Sequence, residues 1–462
     1  MQPLIPIALF GFVPLVIALF AMFPARRAVI IAVLAGWMFL PLAKYGYKGL
    51  PDYDKPLAIP LATLLAALIF DAGTLLSFRP RWIDLPAAVW CLAPFASSMA
   101  NGLGPWDGMS SILENVLNYG LPYFLGRCYF KTLSDLRELA IGFIWAGMVY
   151  VPLCWVEFRL SAQLHGYVYG TSIAGMTRYA ETGFPLYRPS LFMGNGLIVA
   201  MFMSSATLCA FYMWSTKAVK RMGVFRIELF LGALYVTTVL CQVMGAVVLL
   251  HAGIAVMWLT KFTRMRLFFA TLVLLPILYI GTRANAMWTG DTVVTFLVDH
   301  VSERRARSLE TRLQNESQLI EKALLQKWTG WGRWGQSRLV SEKGRDFSLT
   351  DGLWTIYFGR YGLIALAGFV GMILMPSILF CWRLPGRYWG LPSVAPMIAL
   401  CTVVTLYMFD SLLNATINPV ITMIIGAVAS ATAIFKVVPQ PARRGAYVQP
   451  MHPVVKGVPY GH

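Results

Sequence analysis

Charge is what this chain has least of. Only 13% of its 462 residues are Asp, Glu, Lys or Arg, 58% are hydrophobic, and the mean hydropathy is +0.64. Globular domains in water carry about a quarter charged residues, so this composition does not suit a water-exposed surface. Acids are scarcer than bases, and the formal net charge is +17. Such a balance suggests nucleic acid, but no RNA- or DNA-binding motif occurs and the basic residues form no single patch, so no nucleic-acid partner is expected. The seven cysteines (Cys91, Cys128, Cys154, Cys209, Cys241, Cys381 and Cys401) lie scattered in or beside apolar runs with no CxxC or metal spacing. They read as small apolar fillers. His165, His251 and His300 form no cluster, so neither a metal nor a cofactor is expected. No basic segment precedes the first apolar run and no cleavage site follows it. That run is therefore expected to be a first spanning helix rather than a removed signal peptide. There is no internal repeat, and the apolar runs are continuous rather than alternating, which argues against membrane strands.

What is present is a series of apolar runs of about 17–25 residues, the length that crosses a bilayer as helix. The spans read as roughly 4–23, 28–43, 56–73, 85–100, 110–128, 139–158, 190–214, 227–244, 246–260, 267–281, 353–380, 393–413 and 418–435. The split at 244–246 is the least marked. The fold expected is an all-α polytopic membrane protein of about 12–14 transmembrane helices: a bundle over 1–281, a long polar loop over 282–352, further spans over 353–435, and a Pro-rich, basic, disordered tail over 436–462.

Alternating the loops sorts the basic residues. One side takes Arg26 and Arg27, Arg79 and Arg81, Arg127, Lys131 and Arg137, the 217–226 cluster, the 261–266 cluster, Arg383, Arg387 and the tail. The other short loops hold Lys44, Lys48, Lys55, Arg159, Arg178 and Arg188. By the positive-inside rule the first side is cytoplasmic. The loop 282–352, the loop 159–189 and the turn 414–417 then face out. Tyr and Trp gather near span ends, as interfacial anchors do.

Within the long loop, Leu309, Leu313, Ile320 and Leu324 recur at helical spacing in "ERRARSLETRLQNESQLIEKALLQK". This predicts an amphipathic helix lying on the outer leaflet, apolar side down. The following "WTGWGRWG" is expected to form a tight turn pressed on a sugar ring or an interface.

Charged side chains at membrane depth are costly and mark functional sites by default. Here they cluster on the outer side: Arg178 and Arg188 before span seven, Arg283 after span ten, Arg304, Arg305, Arg307 and Arg312 on the loop helix, and Asp351 at the start of span eleven. Guanidinium groups grip phosphate bidentately, and a carboxylate nearby can take a proton from a hydroxyl nucleophile. These are the parts for displacing a diphosphate by a hydroxyl. Each has a plainer reading. Asp351 is also placed to cap the helix that follows, Arg188 to anchor at the interface, and Arg312 to pair with Glu316 one turn on. Arg304, Arg305 and Arg307 would suit lipid headgroups, and Asn195 a helix start. Asp410 could bond neighbouring helices or relay a proton, and Asp71 reads as structural.

Three segments carry a resemblance: "YRPSLFMGNGLIVAMFM", "SLETRLQNESQLIEKALLQKWTGWGRWG" and "TDGLWTIYFGRYGLIAL". In order and spacing they resemble the O-antigen ligase and polymerase family, over roughly 180–380. Asp351 stands at that family's His position, Gly352 at its Asn position, and Gly362 at its Gly eleven residues on. The resemblance implies a GT-C-like, metal-independent, inverting glycosyltransferase of the bacterial inner membrane. Its donor would be a polyprenyl-diphosphate-linked oligosaccharide, its site would face the periplasm, and a chain-length regulator could be a partner. Arg188 and Arg312 would hold the diphosphate, and Asp351 would act as base. Arg178, Arg283, Arg304, Arg305, Asn195 and Trp354 would complete substrate binding. The missing ligase His favours a polysaccharide polymerase over a ligase. Met244 stands where the family often has Arg or Lys, so that phosphate contact is missing or comes from elsewhere, such as Arg283 or Arg178. A transporter for the same lipid-linked glycan is the alternative of a different class. It would more often show paired halves, discontinuous helices and midplane charges.

Overall fold

The computed structural model describes residues 4–46, 51–161, 164–171, 186–285, 287–288, 290–300, 303–333, 335–339 and 352–434, with backbone alone at 296, 297, 300, 304, 305, 308 and 434. Its helices are α1 (Leu4–Met22), α2 (Ala25–Phe39), α3 (Lys55–Phe70), α4 (Ala72–Leu76), α5 (Leu85–Ala100), α6 (Pro105–Asn115), α7 (Leu121–Tyr129), α8 (Leu133–Leu160) and α9 (Leu164–Tyr169). Then follow α10 (Gly196–Ser215), α11 (Ile227–Leu240), α12 (Met244–Thr263), α13 (Leu267–Ala284), α14 (Asp291–His300), α15 (Glu303–Leu324), α16 (Leu353–Arg383), α17 (Ala395–Leu413) and α18 (Pro419–Ile434). The strands among the described residues form two short antiparallel pairs, β1 (Lys44–Tyr45) with β2 (Tyr53–Asp54) and β3 (Arg221–Met222) with β4 (Phe225–Arg226).

The chain is an all-α polytopic membrane protein. Among the described residues eight helices are long and apolar enough to cross a bilayer: α1, α5 with its leading turn, α8, α10, α12, α13, α16 and α17. The shorter α3, α11 and α18 are apolar throughout. Each span expected from hydropathy overlaps a helix, although residues 190–195 ahead of α10 are not helical. The fifth is interrupted: α6 passes into a π-turn at Val116–Gly120, where the Leu121 N–H bonds the Val116 carbonyl five residues back, and α7 follows. Pro122 explains the break, because a proline has no N–H for the preceding turn and its ring crowds that turn's carbonyl.

At the centre of the bundle lie α10 and α17, with 83% and 89% of their apolar windows buried, against 28% for α1. Close approach rests on small residues. A Cβ at Gly126 would meet the Met423 carbonyl oxygen at 2.1 Å, and one at Gly426 would meet the Tyr123 carbonyl oxygen at 2.1 Å. Glycine at both positions therefore lets α7 and α18 touch backbone to backbone.

The loops gather at two ends. At one, Arg26 pairs with Asp135 at 2.6 Å, Arg127 with Asp84 at 2.6 Å, Arg81 reaches the Ala433 carbonyl and Arg266 the Trp382 carbonyl. This end carries the basic loops. At the other lie the Glu157–Ser190 region, the Arg283–Gly332 region and the turn after α17.

Two expectations about the polar loop are corrected. The apolar side of α15 does not lie on a leaflet: Leu313, Leu319, Ile320 and Ala323 are buried, and the helix packs on α16 and α13. Helical periodicity predicts an apolar stripe but is silent on what covers it, and protein covers this one. The glycine-rich turn presses on the chain's own α16, as described below. The tail 436–462 lies outside the described residues.

Candidate functional site

The site region is assembled around α15, and one ion pair holds that helix down. Arg283, at the end of α13, is 3% exposed. Its Nε donates to Glu316 Oε1 at 2.7 Å, its Nη1 to the Trp288 carbonyl at 3.0 Å, and its Nη2 to the Leu313 carbonyl at 2.9 Å and Ser317 Oγ at 3.2 Å. The Tyr279 hydroxyl donates to the same Glu316 oxygen at 2.9 Å. Burial raises the Glu316 carboxyl above its ordinary range, although Arg283 and Tyr279 pull it down. Arg283 was expected to bind substrate; its geometry makes it a brace between α13 and α15. Trp354 is fully buried, packs edge-on against Tyr279 with ring centroids 6.1 Å apart, and lies beside Glu316. It forms an inner wall rather than a platform for sugar.

Over this brace, α15 meets the start of α16 and the end of α17. Arg312, Glu316, Leu319, Gly352, Thr355, Leu412 and Leu413 line a crevice of about 10 Å³, room for one water. Gly352 is the residue that caps α16, accepting the Thr355 hydroxyl at 2.8 Å. A Cβ there would stand 2.5 Å from the Leu412 carbonyl oxygen, so the close approach of α17 requires glycine. The capping place expected for Asp351 thus falls to its neighbour; Asp351 itself, like Arg178, lies outside the described residues. Arg304 and Arg305 are on α15, described in backbone only, and the nearby Arg307 is exposed and pairs with Glu303.

Asp410 is 5% exposed near the end of α17. It accepts the Asn414 amide at 2.8 Å and the Thr416 hydroxyl, and Arg312 lies within its electrostatic reach.

Arg188 belongs to a non-helical strap, 186–195, that enters α10. Its Nη2 donates to the Gln242 carbonyl at 2.9 Å, in the turn between α11 and α12. Its stem crosses Gly196, where a Cβ would come 2.4 Å from Arg188 Cγ. Asn195 caps α10, its Oδ1 accepting the Ile198 N–H at 2.9 Å. Two charged residues not among the expected site residues hold this strap. Glu157, 1% exposed, accepts the N–H groups of Leu164, Ser190 and Leu191 at 3.0, 2.8 and 2.9 Å. Lys55, also 1% exposed, donates to the Phe192 carbonyl at 2.8 Å and lies 4.8 Å from the Trp37 ring centroid. The signal was present, since each is a charge at the end of an apolar run. Arg188 and Arg312 therefore sit at one end of the bundle, on separate supports.

The third structural feature is a break in α16. Gly362 has φ 75° and ψ −173°, a backbone region essentially closed to other residues. The turn after α15 interlocks with the break. Leu363 N–H bonds the Lys327 carbonyl at 2.8 Å, Trp331 N–H the Gly359 carbonyl at 2.9 Å, and Gly332 N–H the Arg360 carbonyl at 2.7 Å. The Asn101 amide, from the end of α5, secures the Gly330 carbonyl at 2.7 Å. These contacts satisfy the Leu363 N–H and the Gly359 and Arg360 carbonyls within the chain itself, as backbone at membrane depth requires.

Among the described residues no three His, Cys, Asp or Glu side chains are grouped so as to hold a metal ion. No protein-family model matches the chain, and no curated protein matches its sequence.

Proposed function

We propose that the chain is a membrane glycosyltransferase that polymerises lipid-diphosphate-linked oligosaccharide repeat units into a surface or exported polysaccharide. What supports this reading is Arg312 beside Gly352 in the crevice, with the buried Asp410 within electrostatic reach of Arg312, at the bundle end away from the basic loops. In a bacterial inner membrane that end would face the periplasm under the positive-inside rule.

The chemistry is a direct displacement. The terminal hydroxyl of an acceptor repeat unit attacks the anomeric carbon of the donor glycan. A new C–O glycosidic bond forms as the bond to the diphosphate oxygen breaks, and the configuration inverts. The leaving diphosphate keeps the electron pair, and Arg312 and Arg188 offset its charge. The hydroxyl proton passes to Asp351. Because the crevice has room for only one water, the donor enters when α15 lifts, and Arg283 and Glu316 form the latch. The polyprenyl tail would stay in the bilayer beside the bundle, and a separate chain-length regulator would act on the growing product.

The break in α16 favours a second reading, a transporter for the same lipid-linked glycan, since discontinuous helices line many transporter sites. There, half-helix ends stay open to substrate. Here the turn after α15 occupies them, which favours the enzyme.

Arg312→Ala and Asp351→Ala, in cells dependent on this chain, separate the classes. Arg312→Ala is expected to lower polymer yield about 10²-fold, the effect of losing one charge-stabilising donor, and to leave single repeat units on the carrier at the outer face. Accumulation facing the cytoplasm would identify a transporter. Long chains retained on the carrier would identify a ligase that attaches glycan to lipid or protein.

A further inference from the structure

The basic end of the bundle holds a second cavity, far from the crevice along the helix axes. It is about 830 Å³ in volume and opens where α11 and α12 leave α10. Five cations line it: Lys217, Lys220, Arg221, Arg226 and Lys261. The carboxylate in the lining is Glu228, and Arg226 already binds it at 3.0 Å. Lys261 turns inward to the Ser215 carbonyl. Among the described residues, the side chains of Lys217, Lys220 and Arg221 make no ion pair or hydrogen bond.

This crowding of like charge is built into the backbone. In the β3–β4 hairpin Arg221 stands directly opposite Arg226, a cross-strand pairing that repels. The hairpin also forces Gly223 to φ 61°. An anion in the cavity would relieve the repulsion that the fold otherwise tolerates.

The surroundings decide what carries the anion. The tip of the hairpin is apolar and bare, with Val224 83% and Phe225 55% exposed. Trp214 and Trp258 line the cavity wall, and Trp258 and Phe262 on α12 are themselves 52% and 74% exposed. Aromatic and aliphatic side chains exposed beside a ring of Lys and Arg fit the headgroup level of a bilayer, with the apolar groups in the acyl boundary and the cations at the phosphates. A soluble phosphate would use the cations and leave the apolar rim without a role.

We propose that this cavity binds the phosphate headgroup of an anionic phospholipid, held by Lys217, Lys220 and Arg221 and bounded by the tryptophans. Basic residues near an anionic membrane surface add attraction cumulatively, each changing occupancy by roughly fivefold.

Native mass spectrometry of the purified chain, in micelles doped equally with phosphatidylglycerol and phosphatidylcholine, tests this. The wild-type chain is expected to retain phosphatidylglycerol preferentially. The triple substitution Lys217→Gln, Lys220→Gln, Arg221→Gln should cut that retention by at least about tenfold, and each single change by a few-fold. Arg79→Gln with Arg387→Gln, which removes charge from the same end outside the cavity, should leave it intact. Equal retention of the two lipids, or full retention by the triple variant, overturns the proposal. So does displacement of the lipid by millimolar inorganic pyrophosphate, which would make the cavity a site for soluble phosphate. The substituted side chains are exposed, and an unchanged melting midpoint in phosphatidylcholine alone verifies that the triple variant is folded.

Discussion

Gly362→Ala is expected to destabilise the protein by roughly 2–6 kcal/mol, combining about 1–3 for the backbone region and about 1–3 for overpacking. Two causes act at one atom. The φ of 75° with ψ near 180° is strained for any residue with a Cβ, and that Cβ would stand 2.3 Å from the Trp328 carbonyl oxygen. The neighbour is backbone, so it cannot swing away. Relief requires the turn after α15 to leave α16, and three backbone hydrogen bonds go with it. Gly359, three residues earlier, is the internal control. A Cβ there would meet Ser337 Cβ at 3.3 Å, so Gly359→Ala should shift the melting midpoint far less. Hydrogen exchange should show the amides of Trp331, Gly332 and Leu363 losing protection in the Gly362 variant alone. Equal midpoints for the two variants would refute the interlock.

Arg283→Ala should be comparably severe, costing about 3–5 kcal/mol, because it leaves the buried Glu316 charge without its partner. The loss should be local, releasing α15 while the bundle stays folded. It should also depend on pH, and the sign follows from the carboxyl. Glu316 is raised in the folded protein by burial, and removing the guanidinium raises it further. The undocked helix therefore gives up its proton first, near the ordinary value of about 4.3. Docking weakens as pH rises from there to the raised value, and the penalty is absent below. The variant's α15 should be best protected from protease in acid and least protected at neutral pH. Arg283→Met combined with Glu316→Leu should restore most of the docking, since an apolar pair of similar volume often replaces a buried ion pair at little cost. A double variant as loose as the single one would show that α15 is held by something else.

These features were unequally legible in the sequence. Continuous apolar runs gave away the spans because the bilayer imposes a single length scale. The π-turn before Pro122 was not legible, since Pro14, Pro60, Pro94, Pro152 and Pro276 lie inside continuous helices. The stripe on α15 was readable as helix, but its partner was not, because amphipathicity carries no address. The pairing of Arg283 with Glu316 joins residues 33 positions apart, and a local pattern cannot see it. Gly362 was picked out by resemblance, whereas its real constraint, a positive φ wedged under a carbonyl, is three-dimensional. Arg188 and Arg312 were selected as outward-facing guanidiniums and do lie at one end of the bundle. Lys55 counted only as a loop charge and Glu157 drew no reading, because the contacts that bury them join residues 137 and 33 positions apart.

The most direct test of sugar transfer is reconstitution of the purified chain in liposomes with a polyprenyl-diphosphate-linked repeat unit, following free polyprenyl diphosphate and glycan length together. If the chain is a polymerase, both should rise in step without added metal and be lost in Arg312→Ala. Movement of intact donor between leaflets, with neither released diphosphate nor longer glycan, would contradict it.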